Sequence, residues 1–515
     1  SGQFATRETH VALGRVSAHA PLAGGAGPLS ERTPHNLTIR MNWFARNVLL
    51  THLVVFIVVL GWIHGGTRPD LLLPVIPWVT LIMLEWLLVF PQAKRTETLV
   101  ESRRRVWRAL KRDPLVYTGL ALLVLLIIPL FNVAYPPVFD AASQKWIAPK
   151  PPVTWLPYSV NPDHHAVLLL WFPPAIVAAL AAKHGLLKRG KRLLLEAICW
   201  NGAALAVLGF VQLATDTQNL LWLTPMKSYF FSSFGYPNFA GAFFTLHTAI
   251  ALGIWFQDAT EVAGLAPCRI SEDDERSVLF THRLLLPAML CFVAAVASLS
   301  RAAILLSVLV LLAMIAYILI FVWRRVSAGA RVTLVSIVGA VLLAVVVVML
   351  VFKLDKLKAE IRTITPSAVV ERVTGAGYYH ARIAKAIFCD HPVFGVGGWG
   401  YPRYQQMYMT AEDEKRVQRE GGANVHNDSL QFLAEQGIVG YGLLVACALI
   451  LAIPLVLQAW RLVRIKPPSE DGALANVPKG WLSRIPPPLI AVWLGTGATV
   501  CHSLGDLPFR TNGKL

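Results

Sequence analysis

The stretch "ANVHNDSLQFLAEQGIVG" (423–440) places a histidine, two asparagines and two carboxylic acids at the start of an apolar run long enough to cross a membrane. Ionisable groups at such a mouth must be paired or used, because burying a charge in hydrocarbon is costly. Asn427, Gln431 and Glu435 fall at i, i+4 and i+8 and so share one helical face, with His426 at the N-terminal end of that helix. The helix dipole disfavours positive charge there and keeps the imidazole neutral, the form a general base needs near pH 7. Two readings fit His426 on these grounds. It takes a proton from a hydroxyl, or it only caps and hydrogen-bonds at the interface. Gly437 and Gly440 permit a bend or a close helix contact before the apolar run continues.

The elements that must position these groups are membrane helices. The 515-residue chain is 55% hydrophobic and only 15% charged, against about 25% charged in soluble domains, and its mean hydropathy is positive. The apolar residues come in blocks of roughly 17–25, the length that crosses about 30 Å of hydrocarbon. Eleven blocks are predicted, at 43–64, 71–90, 115–133, 164–183, 193–213, 237–257, 284–299, 302–323, 331–352, 438–459 and 487–504. The expected fold class is an all-α polytopic membrane protein with about 11 transmembrane helices. Ser300-Arg301 is predicted as a tight hairpin rather than the middle of one 40-residue helix, because an arginine in mid-bilayer is expensive.

Lys and Arg in short loops set the orientation. Residues 93–113 hold eight basic residues and 183–192 hold five, on the same side as 323–331 and 461–466. That side is expected to be cytoplasmic. The expected organisation is a disordered cytoplasmic N-terminal tail at 1–42, transmembrane helices 1–9 over 43–352, one large periplasmic loop at 353–427, and C-terminal helices over 428–515. The tail lacks an apolar h-region and reads as neither signal peptide nor span. The net charge of +17 fixes topology and touches anionic membrane lipids; it does not indicate nucleic acid. Of the six cysteines, Cys199, Cys291, Cys447 and Cys501 fall within helices, and no pair looks like a disulfide or a metal site. The helix interiors are nearly bare of charge, Glu85 and Glu196 excepted, and no internal repeat is visible, so a transporter is disfavoured.

The loop at 353–427 holds eleven Lys or Arg and eight Asp or Glu. Within it, 378–389 fits an amphipathic helix ending at His391-Pro392, followed by "GVGGWG" (395–400). The Gly-rich run lacks the strand and helix of a phosphate-binding βαβ unit and reads as a mobile or tightly turning lid. "EDE" (412–414) reads as a solvated face.

"HNDSLQFLAEQGIVG" (426–440) resembles the signature of bacterial O-antigen ligases and the related O-antigen polymerases. "FGYPNFAGAFF" (234–244), "SLSRAAILL" (298–306), "ARIAKAIFCDHPVFGVGGWGY" (381–401) and "HSLGDLPFR" (502–510) fit the same pattern in the same order, so the resemblance covers roughly 190–510. Family members usually have about twelve spans, so a final helix is absent here or lies past residue 515.

The resemblance implies a helical, membrane-embedded glycosyltransferase of type C fold in the bacterial inner membrane, with a cytoplasmic N-terminus and a periplasmic active site. The donor would be a glycan on undecaprenyl diphosphate. The acceptor would be a hydroxyl of the lipid A core for a ligase, or of a second lipid-linked glycan for a polymerase. His426, Arg301 and Arg382 match the family's functional positions. A diphosphate leaving group needs fixed cations or a metal. The guanidinium fork matches phosphate oxygens without proton exchange, so no cofactor or metal is expected. Arg510 is a third candidate cation. Asp506 or Glu435 would orient His426 or hold acceptor hydroxyls, together with Asn427. Asn238 would line the site or pack between helices. Tyr378, Tyr379, Trp399 and Tyr401 would stack on sugar faces or anchor at the interface.

Overall fold

A computed structural model describes residues 35–66, 69–94, 97–148, 150–226, 229–262, 282–323, 339, 376–420, 424–425, 427–464 and 485–505. By contact the chain forms two units, Ser1–Phe44 and Ala45–Leu515. The first enters the described residues only as the opening turns of α1. In chain order the main helices are α1 (His35–Trp62), α2 (Ile76–Val89), α3 (Leu99–Leu110), α4 (Pro114–Phe131), α5 (Phe172–Leu180), α6 (Lys188–Ala214) and α7 (Pro237–Val262). There follow α8 (Leu285–Ala297), α9 (Arg301–Trp323), α10 (Ala376–Asp390), α11 (Tyr401–Tyr408), α12 (Ala411–Glu420), α13 (Asp428–Arg464) and α14 (Pro487–Gly505). Helix α1 begins inside the stretch expected as a tail, because helix formation is cooperative and extends outward from the apolar run; residues 1–34 lie outside the described residues.

Six of the expected spans are helices long and apolar enough to cross a membrane: Pro114–Phe131, Pro162–Gly185, Lys188–Ala214, Pro237–Glu261, Arg301–Val322 and Asp428–Arg464. The chain is a polytopic helical membrane protein. The blocks at 43–64, 71–90 and 284–299 hold the shorter apolar helices Asn47–Trp62, Ile76–Val89 and Leu285–Ala297. The block at 331–352 lies outside the described residues apart from 339. The all-α expectation is amended in two loops. Strands β1 (Val138–Asp140) and β2 (Lys145–Ile147) pair antiparallel, as do β3 (Asn219–Leu220) and β4 (Thr224–Pro225). The first turn is local chemistry. The Asp140 carboxylate accepts from Ala142 N–H at 3.0 Å and from the Ser143 hydroxyl at 2.6 Å, an Asx-type turn inside a segment too short for periodicity to reveal.

Ion pairs gather the helix ends on one side. Asp113 caps α4 through Leu115 N–H and meets Lys183 at 2.7 Å and His184 at 2.5 Å. Burial pushes the Asp113 carboxyl up, but the Lys183, His184 and Leu115 hydrogen bonds outweigh it and hold it below the usual carboxylate range. Arg192 donates to Glu196 at 2.8 Å and to Asp258 at 2.6 Å, and Arg283 donates to Glu196 at 2.6 Å. Glu196 is therefore satisfied within the fold. These contacts join the starts of α4, α6 and α8 to the ends of the α5 span and α7, so successive helices alternate in direction. Helix α7 is the central post, packed by α6, α8, α9 and α14. Small residues let it approach its neighbours: a Cβ on Gly253 would lie 2.3 Å from Ala491 Cβ.

Candidate active site

The start of α13 builds the frame around the histidine motif. Asn427 Oδ1 accepts Leu430 N–H at 2.9 Å, and its carbonyl takes Gln431 N–H at 3.0 Å, so Asn427 is the N-cap. Gln431, fully buried, is the hub. Its Oε1 accepts Val425 N–H at 3.0 Å, while Nε2 donates to Asn424 Oδ1 at 3.3 Å and to Glu435 Oε1 at 3.0 Å. Glu435, also fully buried, accepts Trp399 N–H at 2.9 Å on Oε2. The residues on both sides of position 426 are thus tied to one helical face. His426 itself lies outside the described residues.

The Gly-rich run clasps α13 where the helix breaks. Gly437 sits at φ 62°, ψ −170°, a conformation open only to glycine without strain. The backbone groups freed there are taken up across the chain: Ile438 N–H donates to Pro392 O at 2.8 Å and Val439 N–H to Val393 O at 3.2 Å. In return Val396 N–H donates to Ala434 O at 3.3 Å and Gly397 N–H to Glu435 O at 2.8 Å. A Cβ on Gly395 would lie 2.3 Å from the Glu435 carbonyl carbon. Of the two sequence readings of this run, the tight turn is the one observed. It is docked, with residues 395–400 buried.

A histidine absent from the sequence reading fastens this clasp. His165 is fully buried; its Nδ1 accepts Gly398 N–H at 2.8 Å and its Nε2 donates to Leu126 O at 2.9 Å. The two bonds fix the neutral Nε2–H tautomer. The signal was present as "NPDHHA" (161–166) at the mouth of a span. His165→Phe would leave the buried Gly398 N–H without its acceptor, at about 1–3 kcal/mol, and would take the side-chain donor from the Leu126 carbonyl. A lower unfolding temperature in detergent is expected; wild-type stability would remove His165 from the clasp. Nearby, Tyr158 OH lies 3.0 Å from Tyr404 OH and 3.4 Å from His391 Nδ1. Burial holds the His391 imidazole below its usual value against the opposing charge of Asp390.

Helix α10 covers this frame with Tyr379, Ile383, Ala384 and Ile387, packed with Tyr401, Val425 and Ala434. Tyr379, Trp399 and Tyr401 are core side chains, and Tyr401 OH meets His380 Nδ1 at 2.8 Å. Burial, then the nearby Tyr379, Glu435 and Asp413, pushes the Tyr401 phenol well up. Their rings are packed against protein, which leaves little face for a sugar. Tyr378 lies on α10, and its side chain is outside the described residues.

Arg382 on α10 forms an ion pair with Asp413 and also contacts Tyr408 O at 3.4 Å. Its side chain is 39% exposed, and among the described residues these contacts engage Nη1 and Nη2 and not Nε. Asp413 also takes the Thr410 N–H and hydroxyl, each at 2.8 Å, capping α12. The "EDE" run is therefore not uniformly solvated: Glu412 and Glu414 are exposed, but Asp413 is buried. Among the described residues no group of three or more His, Cys, Asp or Glu is placed to hold a metal.

Arg301 and Asn238 belong to a second set of contacts. Helices α8 and α9 are joined by Ser298, Leu299 and Ser300, with Leu299 at φ 58°. The predicted hairpin is the observed one. Phe292, Val296 and Ile304 pack across it, and Ser300 Oγ accepts Ala303 N–H at 3.3 Å, leaving a half-buried Arg301 at the first position of α9. The start of α7 lies against this turn, where a Cβ on Gly241 would be 3.0 Å from Ser298 Oγ. Asn238 is buried there and donates to Tyr236 OH at 3.0 Å, while Tyr229 OH donates to Ala297 O at 2.6 Å. Asp506 and Arg510 lie outside the described residues.

Residues 286–445 match the family model described as O-antigen ligase. This match shows that the segment 286–445 is similar to O-antigen ligases, and it supports an O-antigen ligase/polymerase assignment. The family segment runs from the Ser-Arg hairpin through α10 and the Gly-rich clasp into α13, so it holds both Arg301 and Arg382. It covers less than half of the chain, and the motifs at 234–244 and 502–510 fall outside it. No curated protein matches the chain.

Proposed function

We propose that this protein is a metal-independent, inverting glycosyltransferase that moves a glycan from undecaprenyl diphosphate to a hydroxyl of the lipid A core. The site lies on the periplasmic face of the inner membrane, in a type C glycosyltransferase fold of about eleven spans with a large periplasmic loop. His426 takes the proton of the acceptor hydroxyl as its oxygen bonds to the anomeric carbon. The bond from that carbon to the diphosphate oxygen breaks with inversion, and the carrier diphosphate leaves. Arg301 and Arg382 neutralise its growing charge. The observation that carries this reading is the frame of Gln431, Glu435 and the Trp399 amide, which pins the residues flanking 426 within the family segment. Asp413 holds the Arg382 fork and is the internal competitor that the donor diphosphate displaces in part.

Arg301→Ala and Arg382→Ala are expected to weaken donor binding or turnover even at saturating donor, by about 10–100-fold for each lost charged bond. Activity is expected to survive a chelator. Loss in chelator with recovery on adding a divalent ion would refute the arginine mechanism. The decisive assay uses purified protein, a defined lipid-linked glycan and mass analysis of what receives it. A repeat-unit polymerase of the same chemistry is the alternative reading, drawn from the same family match. A deletion strain separates the two. Lipid-linked polymer with bare core marks a ligase; accumulation of single repeats marks a polymerase.

A further inference from the structure

Helix α3 carries a charge pattern that glycan transfer does not use. Its inward face is Ser102, Val106 and Leu110, at i, i+4 and i+8. Two of its arginines fasten it to the body: Arg103 Nε donates to Val89 O at 2.6 Å, and Arg105 reaches Glu97 at 3.0 Å and Gln92 O at 2.8 Å. Arg104, Trp107, Arg108 and Lys111 fall at i, i+3, i+4 and i+7 and are all exposed. Among the described residues no ion pair takes up these three cations. Trp107 is 51% exposed, and Lys111 Nζ lies 5.0 Å above its ring.

The stripe is continuous with a lipid-facing surface. Span α4 starts at Pro114, and Tyr117, exposed in its first turns, donates to Lys111 O at 2.7 Å. Leu120 and Val124 continue that outward face into the apolar span. Open water would strand the Trp107 ring, and hydrocarbon would strand three cations. A layer of anionic headgroups satisfies both. We propose that Arg104, Trp107, Arg108 and Lys111 form a binding surface for anionic phospholipid at the bilayer edge.

Full-length protein in mixed phosphatidylcholine–phosphatidylglycerol nanodiscs tests this by native mass spectrometry after release. Retained phosphatidylglycerol is expected on wild type and lost in R104Q/R108Q/K111Q, with affinity falling roughly fivefold per cation and on the order of a hundredfold in all. K188Q/R189Q, which removes an exposed basic pair elsewhere, is expected to retain the lipid. Equal retention in the triple variant overturns the proposal, as does displacement of the lipid by millimolar inorganic phosphate, which would mark a free-anion site. A nitroxide at Arg104→Cys, with Cys268, Cys389 and Cys501 replaced by serine, reads location independently of the charge variant. Oxygen access above that of a soluble nickel complex is expected, and full nickel access overturns the assignment.

Discussion

His426→Ala is expected to abolish glycan transfer, lowering turnover by about 10²–10⁴-fold, while the protein still folds and still binds its lipid donor. The expectation follows from what surrounds the position. Gln431 holds Val425 and Asn424, and Asn427 caps α13, so these bonds beside residue 426 are made by other side chains. A general base must be neutral to accept a proton, so wild-type activity should fall toward acid pH. That acid limb should vanish in the residual rate of the variant. Full turnover by His426→Ala would end the base assignment; lost donor binding with intact folding would reassign the residue to recognition.

Gly437→Ala is expected to destabilise the protein by about 3 kcal/mol or more. Left-handed backbone costs an alanine about 1–2 kcal/mol. Its Cβ would also sit 2.2 Å from Val393 O, so the clasp must open. Opening it gives up the Ile438 and Val439 hydrogen bonds at about 1 kcal/mol each. Gly442→Ala is the matched control. No atom lies within 4 Å of its added methyl, and alanine is the better helix former by about 1 kcal/mol, so stability should hold or rise. Thermal unfolding of both variants in one detergent decides the matter, and equal midpoints would mean that the clasp contributes nothing.

How much of this was legible in the sequence differs by the range of the interaction. Composition and run length located the helices, because hydrocarbon selects apolar stretches of fixed length. Helical spacing put Gln431 beside Glu435, and the cost of a buried charge placed a turn at Ser300-Arg301. What escaped is non-local or carried by the backbone. The clasp joins residues 392–397 to 434–439 mostly through amides and carbonyls, which have no side-chain signature. His165 meets Gly398 across 233 positions. The aromatic residues of α10 and the Gly-rich run suit sugar stacking and core packing equally well by type, and only the fold assigns Tyr379 and Tyr401 to the core.

The backbone character of that clasp also determines which mutations the region can absorb. Val393, Ile438 and Val439 contribute main-chain atoms while their side chains are largely exposed, so a saturation library should accept many replacements at these three positions. At 395, 397 and 437 the backbone is left-handed and a methyl would collide with main-chain atoms, so the same library should return almost only glycine. Drift in this part of the chain would then leave behind a spacing of glycines rather than a recognisable string of letters.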